Sequence, residues 1–132
     1  MSDNHIRILV VDDEADLVSV LRIGLEAEGF EVLEASDGEE GLRMARECKP
    51  ALVLLDLMLP KLDGYKVCRS LKFDERYRAV PILILSARSG EQDRRLAHDM
   101  GADGFITKPY EMKDLVAKVK HKLGLPPGRI AA

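Results

Sequence analysis

The chain has 132 residues, 46% of them hydrophobic and 33% charged, a length and mix that suit one domain able to bury a core without disulfide or metal staples. Its two cysteines, Cys48 and Cys68, sit in no CxxC or Cys/His cluster, which excludes a disulfide framework or a structural zinc site and fits a reducing compartment. A net charge of −3, from 20 bases against 23 acids, excludes a coat for nucleic acid, and the apolar run before Asp12 is too short for a signal peptide or membrane span, so a cytoplasmic protein is expected.

The predicted elements alternate along the chain. Residues 6–11 form an almost continuous Ile and Val run, the pattern of a strand covered on both faces. Leu17, Val18, Leu21 and Leu25 then share one face of a helix over about 15–28, stopped by Gly29. A second, more mixed strand covers 31–35. Ser36 or Asp37 can cap a helix with Leu42 and Ala45 inward, ended near Lys49 because the residue before a proline disfavours helix. Residues 51–55 are a third, apolar strand, and Asp63 caps a helix that turns Val67, Cys68 and Leu71 inward. A fourth strand at 81–85 precedes a helix over about 91–100, whose apolar stripe is only Leu96, Ala97 and Met100. A fifth strand at 104–107 precedes a helix with Met112, Leu115, Val116, Val119 and Leu123 at helical spacing before Gly124. Its outer face is expected to carry Lys113, Lys118, Lys120, His121 and Lys122, where cations complement the helix dipole.

Five strand–helix units require parallel strands, since each return needs a crossover. The expected fold is α/β: a doubly wound five-stranded parallel sheet in three α/β/α layers over residues 1–124, with 125–132 a disordered tail or linker stub.

In such a sheet ligands collect at the carboxyl ends of the strands. The first strand ends in Asp12, Asp13 and Glu14, the third in Asp56, the fourth in Ser86 and the fifth in Lys108. Clustered carboxylates repel by ~4 kcal/mol per pair at about 4 Å and an effective dielectric near 20, so the cluster should draw in a cation. All-oxygen ligands with open water positions suit Mg²⁺, held by Asp12, Asp13, Asp56 and the backbone carbonyl of Met58. The plainer explanation, that the acids only favour the N-terminus of the first helix, loses ground once Asp56 and Lys108 join them. A cation, a carboxylate, a hydroxyl and a lysine also make a phosphoryl site, with Asp56 the nucleophile and Lys108 and Ser86 binding phosphoryl oxygens.

These residues resemble a known family. The strand ending in Asp12-Asp13-Glu14, the stretch from Leu52 to Pro60 with Asp63-Gly64 after it, the run from Pro81 to Ala87, Gly101-Ala102-Asp103 and Thr107-Lys108-Pro109-Tyr110 together resemble the receiver domain of two-component response regulators, the CheY-like, flavodoxin-like fold. The resemblance implies that Asp56 accepts a phosphoryl group from the phosphohistidine of a sensor histidine kinase or phosphotransfer protein in a Mg²⁺-dependent reaction. It implies a cis Lys108–Pro109 bond and makes Ser86 the switch hydroxyl and Phe105 the switch aromatic. Ser86 stands where many members have Thr and Phe105 where many have Tyr, so switching would rest on packing.

The implied protein is a phosphoacceptor switch with intrinsic autophosphorylation and autodephosphorylation, not otherwise an enzyme. Its fourth helix, fifth strand and fifth helix would meet a downstream protein or a second phosphorylated copy, without direct nucleic-acid or membrane contact. An aspartate-nucleophile phosphatase would want a DxD pattern after the first strand, whereas here the acids are adjacent. A flavodoxin-like flavin binder would want a Ser/Thr-rich loop there. A receiver-shaped domain that takes no phosphate is the third alternative.

Overall fold

In a computed structural model of the chain, which describes residues 6–88 and 90–126, each apolar run becomes a strand. They are β1 (Arg7–Val11), β2 (Glu31–Ala35), β3 (Leu52–Asp56), β4 (Ile82–Ser86) and β5 (Gly104–Thr107). Between and after them lie α1 (Ala15–Ala27), α2 (Gly38–Cys48), α3 (Gly64–Lys72), α4 (Glu91–Asp99) and α5 (Met112–Lys122). His5 and positions 127–132 of the expected tail lie outside the described residues.

The strands are all parallel, in the order β2-β1-β3-β4-β5. The chain therefore winds to one side of β1 and then to the other, and the gap between the ends of β1 and β3 is the switch point where a ligand crevice opens. Strand periodicity divides the core in two. Ile8, Val10, Leu52, Leu54, Leu83 and Leu85 face α1 and α5, where Leu21, Leu25, Leu115 and Val119 meet them. Leu9, Val11, Val53, Leu55, Ile82 and Ile84 face the opposite layer, with Ala45 of α2, Val67 and Leu71 of α3 and Ala97 of α4. Fully burying each such side chain contributes about 1.5–3 kcal/mol, which anchors the inner strands from both sides.

Local chemistry sets the helix ends. Asp37, not Ser36, caps α2 by accepting the Glu40 N–H at 2.8 Å, and Asp63 caps α3 by accepting the Lys66 N–H at 3.0 Å. Lys49 closes α2 in the left-handed region at φ 46°. The Lys108–Pro109 peptide is cis, as the resemblance implied.

Three expectations need correction. β3 and β4 each run one residue further than the apolar pattern, so Asp56 and Ser86 are the last residues of strands and share the rigidity of the ladder. Lys120 is buried, at 3% exposure, because the helix period turns it toward Glu28, whose carboxylate lies 2.7 Å from its ammonium. Leu96 is exposed, leaving Ala97 as the buried side chain of α4. Cys68 is fully buried between α3 and α4, but Cys48, at the end of α2, is only partly covered.

Candidate functional site

The site is built where the two central strands end. Asp12 directly follows β1, and its N–H extends the ladder by donating to the Ala35 carbonyl at 3.0 Å. Asp56 closes β3. Both carboxylates are buried, at 2% and 5% residue exposure. One oxygen of each is held by the loop that follows: Asp12 Oδ1 accepts the Glu14 N–H at 2.9 Å, and Asp56 Oδ1 accepts the Met58 N–H at 3.2 Å. Lys108 arrives from beyond β5, where its own N–H donates to the Ser86 carbonyl at 2.9 Å.

The other carboxylate oxygens converge on the Lys108 ammonium, which lies 3.1 Å from Asp12 Oδ2, 3.2 Å from Glu14 Oε1 and 3.4 Å from Asp56 Oδ2. Burial raises the Asp56 carboxyl above its ordinary pKa, the Asp12 charge adds to this, and Lys108 opposes it. Burial works to lower Lys108, yet its contacts with Asp12, Asp56 and Glu14 outweigh that and leave the ammonium more firmly protonated than usual.

Asp13 is exposed and adds a third acid: one oxygen from each of Asp12, Asp13 and Asp56 lies within 4.8 Å of the others. Oxygens around Mg²⁺ stand at ~2.0–2.1 Å from the ion, so opposite ligands are about 4 Å apart. The cluster is thus of the scale of such a site, all oxygen, and net negative even with Lys108 beside it. That donor set fits a hard divalent cation and no soft one. A groove of about 340 Å³, lined by Asp12, Asp13, Ser19, Glu34 and Glu40 among others, opens beside the cluster on the β2 side.

Of the remaining expected residues, Ser86 ends β4, Met58 follows Asp56 by two positions and Phe105 lies on β5. Ser86 is fully buried, and the contact that orients its hydroxyl is local: Oγ accepts the Arg88 N–H at 3.0 Å. Met58 exposes its side chain at the mouth. Phe105 is buried at 8% exposure on β5, with the Arg94 guanidinium 5.0 Å from its ring centroid and the Lys118 ammonium donating to its carbonyl at 2.9 Å. Arg94 also donates to Thr107 Oγ1 at 2.9 Å, so α4 is tied to β5 one residue before Lys108.

Arg94, Thr107 and Tyr110 carry no role in the sequence expectation, although Thr107 and Tyr110 stand in the stretch that bears the resemblance. The Tyr110 hydroxyl is buried and has no hydrogen-bond partner among the described residues, and burial pushes its phenol up to about 12. Neighbourhood to Lys108 was its one visible signal. For the meeting of Arg94 with Thr107 the sequence offers none, because it depends on how α4 lies across β5.

Comparison with known proteins agrees with this geometry. The family model of the response regulator receiver domain matches residues 8–120. The alkaline phosphatase synthesis transcriptional regulatory protein PhoP of Bacillus subtilis is 46% identical over 114 residues, which are 86% of this chain and 47% of that protein. The DNA-binding response regulator MtrA of Mycobacterium tuberculosis is 47% identical over 117 residues, 89% of this chain and 50% of that one. The chain thus spans about half the length of the curated relatives it matches. Among solved structures, a CheY-like response regulator receiver domain protein from Methanospirillum hungatei superposes with a TM-score of 0.86 at 28% identity, covering 92% of this chain and 95% of that one. The receiver domain of the sensor histidine kinase PA1611 from Pseudomonas aeruginosa, solved with a magnesium ion in its active-site cleft, gives 0.84 at 29% identity, covering 91% and 98%.

Proposed function

The chain belongs to the response regulator receiver domain family, and from that premise we propose that Asp56 takes a phosphoryl group from a phosphohistidine on a sensor histidine kinase or phosphotransfer protein. The observation that carries this reading is the buried Asp56 carboxylate at a strand tip, sharing one lysine with a second buried acid. An Asp56 oxygen bonds to phosphorus while the P–N bond breaks, and the imidazole leaves with the bond pair. Asp12, Asp13 and Asp56, with the Met58 carbonyl, would hold Mg²⁺, which when bound supplies positive charge beside the transferred oxygens. Lys108 turns from its carboxylates to one phosphoryl oxygen, and the Ser86 hydroxyl donates to a second.

The signal follows from those two movements. Ser86 and Lys108 flank Thr107 in space and sequence, and Thr107 is tied to Arg94 of α4. Drawing them toward Asp56 biases Phe105, Arg94 and Lys118 together, so the face of α4, β5 and α5 changes shape for a downstream protein or a second phosphorylated copy. Inverting a 1:99 equilibrium needs about 5.5 kcal/mol, which a few charge-assisted contacts of roughly 1.5–3 kcal/mol each supply. The domain acts as a switch rather than by turnover, apart from its own slow phosphorylation and dephosphorylation. No described helix is long and apolar enough to cross a membrane, and we place the reaction in the cytoplasm, with no nucleic-acid contact assigned to this domain.

The test is incubation with acetyl phosphate, with and without Mg²⁺, followed by intact mass and sedimentation. A one-phosphate gain that needs Mg²⁺ and disappears in Asp56→Ala is expected. A gain that persists in Asp56→Ala overturns the assignment.

A further inference from the structure

We propose that Glu14 is a positioning residue for phosphoryl transfer: its carboxylate is the acceptor that the Lys108 ammonium exchanges for an incoming phosphoryl oxygen. The proposal rests on Asp56 being the acceptor. An ammonium has three hydrogens, and in the resting site three carboxylates, those of Asp12, Glu14 and Asp56, surround Lys108 Nζ within 3.4 Å. A phosphoryl oxygen gains a hydrogen bond from Lys108 only when one of the three lets go.

The three differ in what release costs. The Asp12 side chain is 0% exposed, and its other oxygen is pinned by the Glu14 N–H. Asp56 is 7% exposed and is itself the reacting group. A buried carboxylate stripped of its cation has no water to replace it. Glu14 is 64% exposed, so water takes the place of the ammonium as soon as the pair opens. Exposure therefore selects Glu14 as the partner that Lys108 gives up.

A second observation is that no local contact among the described residues competes for the Glu14 carboxylate. Glu14 occupies the N-cap of α1, and its side chain makes no capping hydrogen bond there, as is also true of Glu111 at the N-cap of α5. The Glu14 carboxylate reaches across to the lysine after β5 instead. During transfer an Asp56 oxygen bonds to phosphorus, the donor's bond to phosphorus breaks, and the bond pair leaves with the donor. Glu14 gains and loses no atom or proton, and its effect passes entirely through Lys108.

The direction follows. An amide oxygen at position 14 is a weaker acceptor for Lys108 and removes one negative charge from the path of an anionic donor. Glu14→Gln should therefore be phosphorylated by acetyl phosphate with Mg²⁺ about two- to fivefold faster than the wild type, the factor to which the coupling of an exposed ion pair corresponds. The excess should shrink at high salt. The experiment uses the full ¹⁵N-labelled chain and two readouts: the ¹H–¹⁵N signal of the Lys108 ammonium in unphosphorylated protein, and the initial rate of mass gain. Asp16→Asn, which removes the charge of an acid in the first turn of α1, is the control.

A moved or broadened Lys108 signal together with the faster rate, both confined to Glu14→Gln, supports the proposal. An unmoved signal, a rate no faster than wild type, or equal acceleration in Asp16→Asn overturns it. A moved signal with no mass gain in any variant overturns the Asp56 reading, and this proposal with it, while leaving the Glu14–Lys108 contact standing.

Discussion

A Cβ on Gly64 would overlap the main-chain carbonyl of Asp56, so the first turn of α3 sits directly against the strand end that carries the site carboxylate. Gly64→Ala must push that strand end or the helix aside. Overpacking of this kind costs about 1–3 kcal/mol. A lower thermal midpoint, and slower phosphorylation than in a surface variant of equal stability, are the expected results.

The acids of the site oppose one another when no cation is bound. Burial and the Asp12 charge both disfavour the Asp56 carboxylate, and an amide at that position escapes both. Asp56→Asn should stabilise the metal-free protein by about 1 kcal/mol, a midpoint shift of roughly 3–5 °C. Adding Mg²⁺ should raise the wild-type midpoint by mass action and raise that of the variant less. Calorimetry of both proteins with EDTA and with Mg²⁺ checks this.

Tyr110 buries a hydroxyl that has no hydrogen-bond partner among the described residues. Leaving such a group unsatisfied costs about 1–3 kcal/mol, so Tyr110→Phe should stabilise the fold by about 1 kcal/mol. A higher urea midpoint with an unchanged slope is the expected outcome.

Lys120 and Arg22 provide a matched pair of ion-pair tests. Lys120 meets Glu28 with side chains 4% and 22% exposed, whereas Arg22 meets Glu26 with 36% and 48%. Glu28→Ala takes the carboxylate from a buried ammonium and should cost about 2–4 kcal/mol, somewhat less than a fully enclosed pair would. Glu26→Ala should cost under about 1 kcal/mol. Denaturant titration of the two variants side by side measures the difference.

Burial raises the Cys68 thiol to about 12. The unfolded chain gives up that proton near pH 8.5, so above that value the folded state binds more protons than the unfolded one. Stability should therefore fall as pH rises from about 9 toward 12, with this group contributing a slope of up to ~1.4 kcal/mol per pH unit. Cys68→Ala should flatten the decline over that window. At neutral pH, thiol alkylation should reach Cys48 well before Cys68.

What the sequence made legible follows from periodicity and topology. Runs such as 52–55 are apolar on both faces, which declares a central strand, and parallel strands must end on one edge, which gathers Asp12, Asp56 and Lys108. The unread part is long-range pairing of side chains. Lys120 looked like one more cation in a basic last turn, and only the packing of α5 shows it turned to Glu28. Lys72 gave no hint that its ammonium would bond the carbonyls of Arg78 and Val80 and the Asp103 carboxylate. The reach of Glu14 to Lys108 was hidden for the same reason, since 94 residues separate them.

The strand order has a last consequence. Asp12 follows and Asp56 closes strands that have neighbours on both sides and packed layers above and below, whereas Phe105 lies on a rim strand that pairs only with β4 among the described strands. The proposed reacting atoms thus stand at the centre of the sheet, and the proposed reporting surface lies along one of its two edges. Substitutions along that margin can retune what the domain speaks to without altering what it reacts with.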